Sequence, residues 1–246
     1  MTNTNFKKEP RVLSILLMAL GGFLLGQVLA LVGDSILVAL THWPGGVDGL
    51  ATSSDPPWWS NIVGLSGLWV GFALAIYFAQ HRGALVALRD AWRPRPFDLT
   101  YLGLGIACQI VVGVLYGPFH FKNMNRPVVH LFGAAHGAAF VLLCLMTVVG
   151  APVVEEWLFR GVIYRALDAG LSRHLGRAGA LAAVGLSALI FALAHGEWLQ
   201  LPGLFFLGVV LALLVRRTQR LLPAVLTHVG FNGLTLASLV AQRMHH

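Results

Sequence analysis

Three short polar patterns interrupt an otherwise apolar sequence, and each holds side chains capable of chemistry. The first, APVVEEWLFRG, carries Glu155, Glu156 and Arg160. On a helix Glu156 and Arg160 are i,i+4 neighbours, so the guanidinium can neutralise that carboxylate, while Glu155 points about 100° away with no partner on its own helix. An unneutralised carboxylate suits a general base or acid; the plainer alternative is an ion-pair cluster at a helix end. The second pattern, FALAH, puts Phe191 and His195 on one helix face, where a lone His also serves as a packing residue. In the third, LTHVGFN, His228 and Asn232 share a face, and polar glue between helices is the alternative. Charged groups facing hydrocarbon cost at least about 2.5 kcal/mol each, which makes intramembrane ionisable residues functional candidates. Two carboxylates, two imidazoles and a carboxamide on three helices are the parts of a hydrolytic centre: a base and an orienting partner for water, and donors for an oxyanion.

The elements that must position these groups are membrane helices. The chain has 246 residues, 57% hydrophobic and only 11% charged. Soluble domains carry roughly 25% charged residues, so this chain cannot cover a globule in water. Charged residues leave seven free stretches, 12–33, 56–81, 99–121, 127–154, 178–196, 198–215 and 221–242, each near or above the roughly 18 residues that suggest a membrane helix. The expectation is an all-α, polytopic integral membrane protein with seven to eight transmembrane helices; a soluble enzyme and a lone anchor are excluded. The net charge of +7 follows from topology rather than nucleic-acid binding. With seven crossings and a cytoplasmic N-terminus, fourteen Lys and Arg fall on inner segments, and only Lys122, Arg126 and Arg243 fall outside. Cys108 and Cys144 lie within spans and form no disulfide or metal framework. The first span follows Lys7, Lys8 and Arg11 as a signal peptide would, but its length and the absence of a small-x-small cleavage site read as a retained helix.

No internal repeat or low-complexity segment divides the chain, which is read as a single membrane domain, 1–246, with N-terminal helices over 1–125 and the motif-bearing core over 126–246. The outer loop near 41–60 ends in Trp58 and Trp59, residues suited to interfacial anchoring. The second inner loop, HRGALVALRDAWRPRPFD, is amphipathic enough to lie along headgroups. From Pro127 to Leu171 the pattern is almost continuously helical, with a kink expected at Pro152. Its second half either projects into the inner interface, which the Arg count favours, or crosses as an eighth span.

Taken in order, EExxxR, FxxxH and HxxxN resemble the motifs of the CPBP intramembrane proteases, the group that includes CAAX prenyl endopeptidases and bacteriocin-processing or immunity-linked proteins. AP before the Glu pair, FRG around Arg160 and LPAVLTH before the last motif are similar too. The resemblance covers residues 150 to 235; the first 125 resemble the family only in being hydrophobic helices. It implies a glutamate-dependent peptidase acting near a membrane boundary on a membrane-associated or lipid-modified protein or peptide. Glu155 with His195 would activate water, His228 and Asn232 would stabilise the oxyanion, Glu156 and Arg160 would position the site, and Phe191 would support it. No cofactor is expected. The alternative is zinc held by Glu156, His195 and His228, although the HExxH motif is absent. Other readings are a non-catalytic binding or immunity protein of the same type, a rhomboid-like serine protease using Ser66 or Ser187, and a proton relay or transporter.

Simple spans create one difficulty. They place Glu155 and His228 toward the inner side, but His195 lies 18 residues after Arg177, roughly 27 Å away along a helix and so toward the outer side. A single site requires residues 171–182 to lie along the interface, with the helix bearing His195 starting late, or residues 152–170 to cross and invert the later topology. The expected setting is a bacterial inner membrane, with lipids and a membrane-associated substrate as partners. A prenylated tail, a sorting anchor and a leader peptide all remain open as substrates.

Overall fold

A computed structural model describes residues 12–81, 91–119 and 126–244. Lys7, Lys8, Arg11, Arg82, Arg89 and Lys122 lie outside them, as does much of the amphipathic loop. Among the described residues the regular structure is entirely helical: α1 (Val12–Thr41), α2 (Gly46–Ala51), α3 (Trp58–His81), α4 (Thr100–Tyr116), α5 (Arg126–Phe132), α6 (Gly137–Leu145), α7 (Ala151–Glu156), α8 (Arg165–Ala194), α9 (Leu201–Thr218) and α10 (Leu222–Met244). Exposed leucines and valines along α1, including Leu13, Leu17, Leu24 and Leu31, leave it apolar on its outward face as well. That pattern belongs to a helix solvated by lipid. The protein is a polytopic integral membrane protein.

Among the described residues six helical stretches are long and apolar enough to cross a membrane, and one runs 58 residues from Gly137 to Ala194. Such a length is several times what a bilayer core of roughly 30 Å requires. The stretch folds back on itself at Gly176, whose φ of 53° and ψ of −128° suit a residue without a Cβ. Beyond the turn the two legs pack closely: a Cβ on Gly179 would fall 2.2 Å from the Leu171 carbonyl oxygen, and the Ser187 hydroxyl donates to the Phe159 carbonyl at 3.4 Å. Counting both legs gives seven helical passes.

This hairpin resolves the difficulty over His195. Arg165 donates to the Gln219 carbonyl at the α9–α10 turn, and the chain continues eleven residues further to Gly176, so the tip extends roughly 16 Å past that turn. The returning leg therefore starts far down, and His195 rises only to the level of Glu155. Residues 165–176 extend past that turn, and residues 171–182, expected along the interface ahead of a late-starting helix, are instead helical on either side of Gly176. Counting from Arg177 as though it stood level with the other turns is what misplaced the histidine.

α1 and α3 pack along a seam of small residues. A Cβ on Gly22 would lie 2.5 Å from the Gly71 carbonyl oxygen, and one on Gly26 would lie 2.8 Å from the Leu68 Cα. The four-residue spacing of Gly22/Gly26 and of Gly67/Gly71 keeps each pair on one face, so the backbones touch. α4 and α10 meet similarly, with Gly105 against the Thr227 carbonyl and Gly230 against Leu102.

Candidate active site

The leg that carries the Glu pair is not a plain α-helix. Met146–Gly150 and Trp157–Tyr164 are π-helical and flank α7, and such widened turns favour functional positions. The first has a cause in the sequence. The Ala151 amide bonds back five residues to the Met146 carbonyl. Continuing that register, Thr147 would need an amide from residue 152, but Pro152 has none. Asn232 fills the vacancy, its Nδ2 donating to the Thr147 carbonyl at 3.0 Å. The expected disturbance at Pro152 is thus a π-turn, and it docks α10 against α7.

One turn on, Glu156 and Arg160 are both fully buried. Arg160 Nη1 donates to Glu156 Oε1 at 2.8 Å, Nη2 donates to the Gly208 carbonyl at 3.2 Å, and the guanidinium carbon stands 4.3 Å from the Phe191 ring centroid. The same Glu156 oxygen lies 3.0 Å from His228 Nδ1, so one carboxylate ties α7 to α10 while its arginine reaches α9. Phe191 is the apolar hub, edge-on to His195 at 4.7 Å and to His228 at 5.6 Å.

Glu155 sits differently. Its Oε2 lies 3.9 Å from His195 Nε2 and 3.9 Å from His228 Nε2, and it is buried without a hydrogen-bond partner. Glu155, His195, His228 and Asn232 line one cavity of about 270 Å³; Glu156 and Arg160 stand behind its wall. The protons on the histidines follow from their other contacts. His195 Nδ1 lies 2.8 Å from the Phe191 carbonyl, which can only accept, so Nδ1 carries hydrogen and a neutral ring turns its Nε2 lone pair toward Glu155. His228 Nδ1 likewise carries hydrogen toward Glu156, so its Nε2 donates when the ring is doubly protonated.

The donor set was tested against zinc. Among the described residues no three His, Cys, Asp or Glu are grouped to hold a metal ion. Of the three alternative ligands, Glu156 has its Oε1 engaged by a guanidinium and a ring nitrogen, whereas zinc ligands approach to roughly 2.0–2.2 Å. As arranged, the residues do not fit the ion. The serines of the rhomboid-like reading lie elsewhere: Ser66 is exposed on α3, Ser187 is buried against Phe159, and neither lines the cavity.

Sequence reasoning missed three features here. Gln109 and Tyr116 of α4 line the cavity, Tyr116 accepting a hydrogen bond from the Gly203 amide at 3.1 Å. Thr147 lines the cavity and gives its carbonyl to the Asn232 amide. A second, apolar cavity of about 370 Å³ shares Val112, Tyr116 and Gly203 with the first. It runs out between α4 and α9 past Leu115 and Phe119, both largely exposed on the lipid-facing side.

Comparison with known proteins finds similarity over the motif-bearing segment. Residues 137–234 match the family model described as type II CAAX prenyl endopeptidase Rce1-like. The chain is 31% identical over 138 residues to the membrane-embedded CAAX protease MroQ of Staphylococcus aureus strain USA300. That match covers 56% of this chain and 55% of MroQ, so the chain spans about half the length of the relative. No solved structure matches the chain. The matched segment holds all three motifs.

Proposed function

We propose that the protein is an intramembrane endopeptidase that hydrolyses a peptide bond with water activated by Glu155 and His195. The observation that carries the reading is the placement of Glu155 Oε2 midway between two imidazole nitrogens from separate helices, 3.9 Å from each, at the wall of a cavity. A separation of that size is spanned by one water. With His195 neutral and His228 doubly protonated, two carboxylates balance one guanidinium and one imidazolium, so the buried cluster carries no net charge.

In that state the water donates one hydrogen to the Glu155 carboxylate and the other to the His195 Nε2 lone pair, leaving an oxygen lone pair free. Glu155 takes the proton as the water oxygen bonds to the peptide carbonyl carbon, and the carbonyl electron pair moves onto its oxygen. His228 Nε2–H and the second Asn232 amide hydrogen supply donors for that oxyanion. Collapse breaks the C–N bond, and Glu155 returns its proton to the leaving amine. Glu156 and Arg160 act through His228 by holding its tautomer and orientation. No step requires a metal. The substrate is membrane-associated, with a prenylated CAAX-like tail as the favoured class and a sorting anchor or leader peptide as the others. The setting is a bacterial inner membrane with the N-terminus cytoplasmic.

The test uses the full chain reconstituted in liposomes with an internally quenched peptide ending in a farnesylated CAAX tetrapeptide. Wild type should cleave it in the presence of a chelator, and Glu155→Gln should lower kcat about 10³-fold while inserting and folding normally. Cleavage by Glu155→Gln at the wild-type rate overturns the base assignment, reversible chelator loss with stoichiometric zinc overturns the metal-free mechanism, and saturable binding without turnover moves the reading to a non-catalytic binding protein.

A further inference from the structure

Nine buried side-chain polar atoms lack a hydrogen-bond partner among the described residues, and three belong to residues that line the catalytic cavity: Glu155 Oε2, Gln109 Oε1 and Thr147 Oγ1. The mechanism uses Glu155. It leaves unexplained why two neutral polar groups on residues that line the same cavity lack partners in a membrane protein, where an unpartnered buried polar group is costly. We infer that Gln109, together with Thr147, binds the substrate backbone beside the scissile bond. This rests on the peptidase reading above and adds a substrate-binding residue from α4, outside the segment that matches the protease family.

The argument is an accounting of polar groups. To be cut, the substrate must lie extended in the cavity, which leaves several of its amide and carbonyl groups without water or helix partners. The proposed oxyanion donors satisfy only the scissile carbonyl. The amides on either side need acceptors, and the cavity wall is otherwise largely apolar, with Val112, Leu131, Phe132 and Leu204 among its lining. Gln109 Oε1 is an acceptor that no group among the described residues occupies. Its position is fixed by backbone contact: Gly105, one turn earlier on α4, lets that helix touch α10 at Thr227, one residue before His228. Thr147 is fixed to α10 by the Asn232 bond to its carbonyl. A strand of substrate in the cavity would thus have Gln109 of α4 and Thr147 beside α10 as polar partners near the reacting carbonyl. Val112 and Tyr116, next along the face of α4 that carries Gln109, lead into the apolar cavity.

The test uses the full chain in liposomes with the same farnesylated peptide, together with a set N-methylated at one backbone nitrogen at a time. Gln109→Met keeps the side-chain volume and removes the acceptor. It should raise KM about tenfold and leave kcat within about twofold, the signature of lost binding rather than lost chemistry. In wild type, N-methylation at one position should raise KM by a similar factor, and in Gln109→Met that position should carry no further penalty. A purely structural role would not produce such coupling. An unchanged KM in Gln109→Met, or N-methyl penalties identical in both proteins, overturns the inference and leaves the hydrolase standing. Saturable binding of the farnesylated peptide by wild type without turnover overturns the peptidase reading itself. The N-methyl series in wild type is informative even if the Gln109 variant fails to fold, since tolerance of methylation at every position overturns the inference.

Discussion

Two helix contacts in this protein solve the same problem in opposite ways. α1 meets α3 through glycine, with backbone against backbone and the nearest groups a carbonyl oxygen and an imagined Cβ 2.1 Å apart at Gly71. α7 and the π-turn after it meet α9 and α10 through Glu156, Arg160, His228 and the Gly208 carbonyl. Lipid tails are as apolar as leucine, so hydrophobic burial drives neither contact; close approach and hydrogen bonding are the available forces. The glycine seam achieves association without placing a reactive group anywhere. The polar contact achieves it at the cost of desolvating two charges, and a plain apolar interface would hold as well. A buried ion cluster kept where glycines would serve is one kept for what it positions. Changes in the seam should therefore alter stability and spare turnover per folded molecule, and changes in the cluster should alter turnover first.

The severest break comes at Arg160. Arg160→Met keeps the bulk against Phe191 but leaves Glu156 buried without its cation, and removing one partner of a buried pair costs about 3–5 kcal/mol. Both the unfolding temperature and the cleavage rate should fall. Replacing the pair together, Glu156→Leu with Arg160→Met, should restore much of the stability and none of the activity, because His228 would still lack the oxygen that orients it. Thermal unfolding in detergent with parallel cleavage assays checks this. Recovery of both properties in the double variant would mean that the cluster is glue.

Gly71→Ala supplies the other arm of the comparison. Its Cβ would meet the Gly22 carbonyl oxygen at 2.1 Å and the Gly26 amide nitrogen at 2.8 Å, all backbone, so the helices must part. Overpacking of this kind costs about 1–3 kcal/mol. The unfolding temperature should drop while kcat per folded molecule holds within about twofold. A tenfold loss of kcat would show that α1 and α3 support the site through Phe72, which stacks edge-on against Phe159 at 6.0 Å.

The difference between the two contacts also explains what the sequence could and could not convey. Glu155, Glu156 and Arg160 stand out because charge in an apolar run demands a reason, and i,i+4 spacing pairs two of them without further information. Membrane helices and their approximate number follow from composition alone. The level of His195 did not follow, because a projecting helical hairpin and a basic loop look alike in LSRHLGRAG until Gly176 is seen at positive φ. Gln109 was invisible for the opposite reason: a single uncharged polar residue within a span has no local partner to reveal it, and its significance arises from a cavity built by distant helices. Asn232 was visible as a motif residue, but its bond to Thr147 depends on a π-turn that pattern reading cannot distinguish from a kink.

The mildest test concerns a polar contact outside the spans, where neither solution applies unmodified. Asp98, just before α4, pairs with Arg220 at the α9–α10 turn 122 residues away: Nη1 donates to Oδ1 at 2.9 Å, and Nη2 donates to Oδ2 and to the Arg93 carbonyl. The Arg95 amide donates to Oδ2 as well, at 2.7 Å, and the amides of Leu221 and Leu222 both donate to the Ala91 carbonyl. This knot ties the start of α4, and hence Gln109, to the start of α10, and hence His228. Hydrogen bonding from the Arg220 guanidinium holds the Asp98 carboxyl below the usual carboxylate range. A folded-state value that is depressed stabilises the protein above the unfolded-state value, about 3.9, and that contribution disappears as pH falls through the folded value. Asp98→Asn should accordingly lower the unfolding temperature by a few degrees at neutral pH, and the gap from wild type should close below about pH 4. The variant should keep its kcat and show at most a modest rise in KM, since loosening the knot shifts α4 against α10 without touching the carboxylate that takes the proton. Unfolding curves across pH 3 to 7 decide it. A gap that persists unchanged at the acid end would mean that Asp98 acts through its backbone turn rather than through its charge.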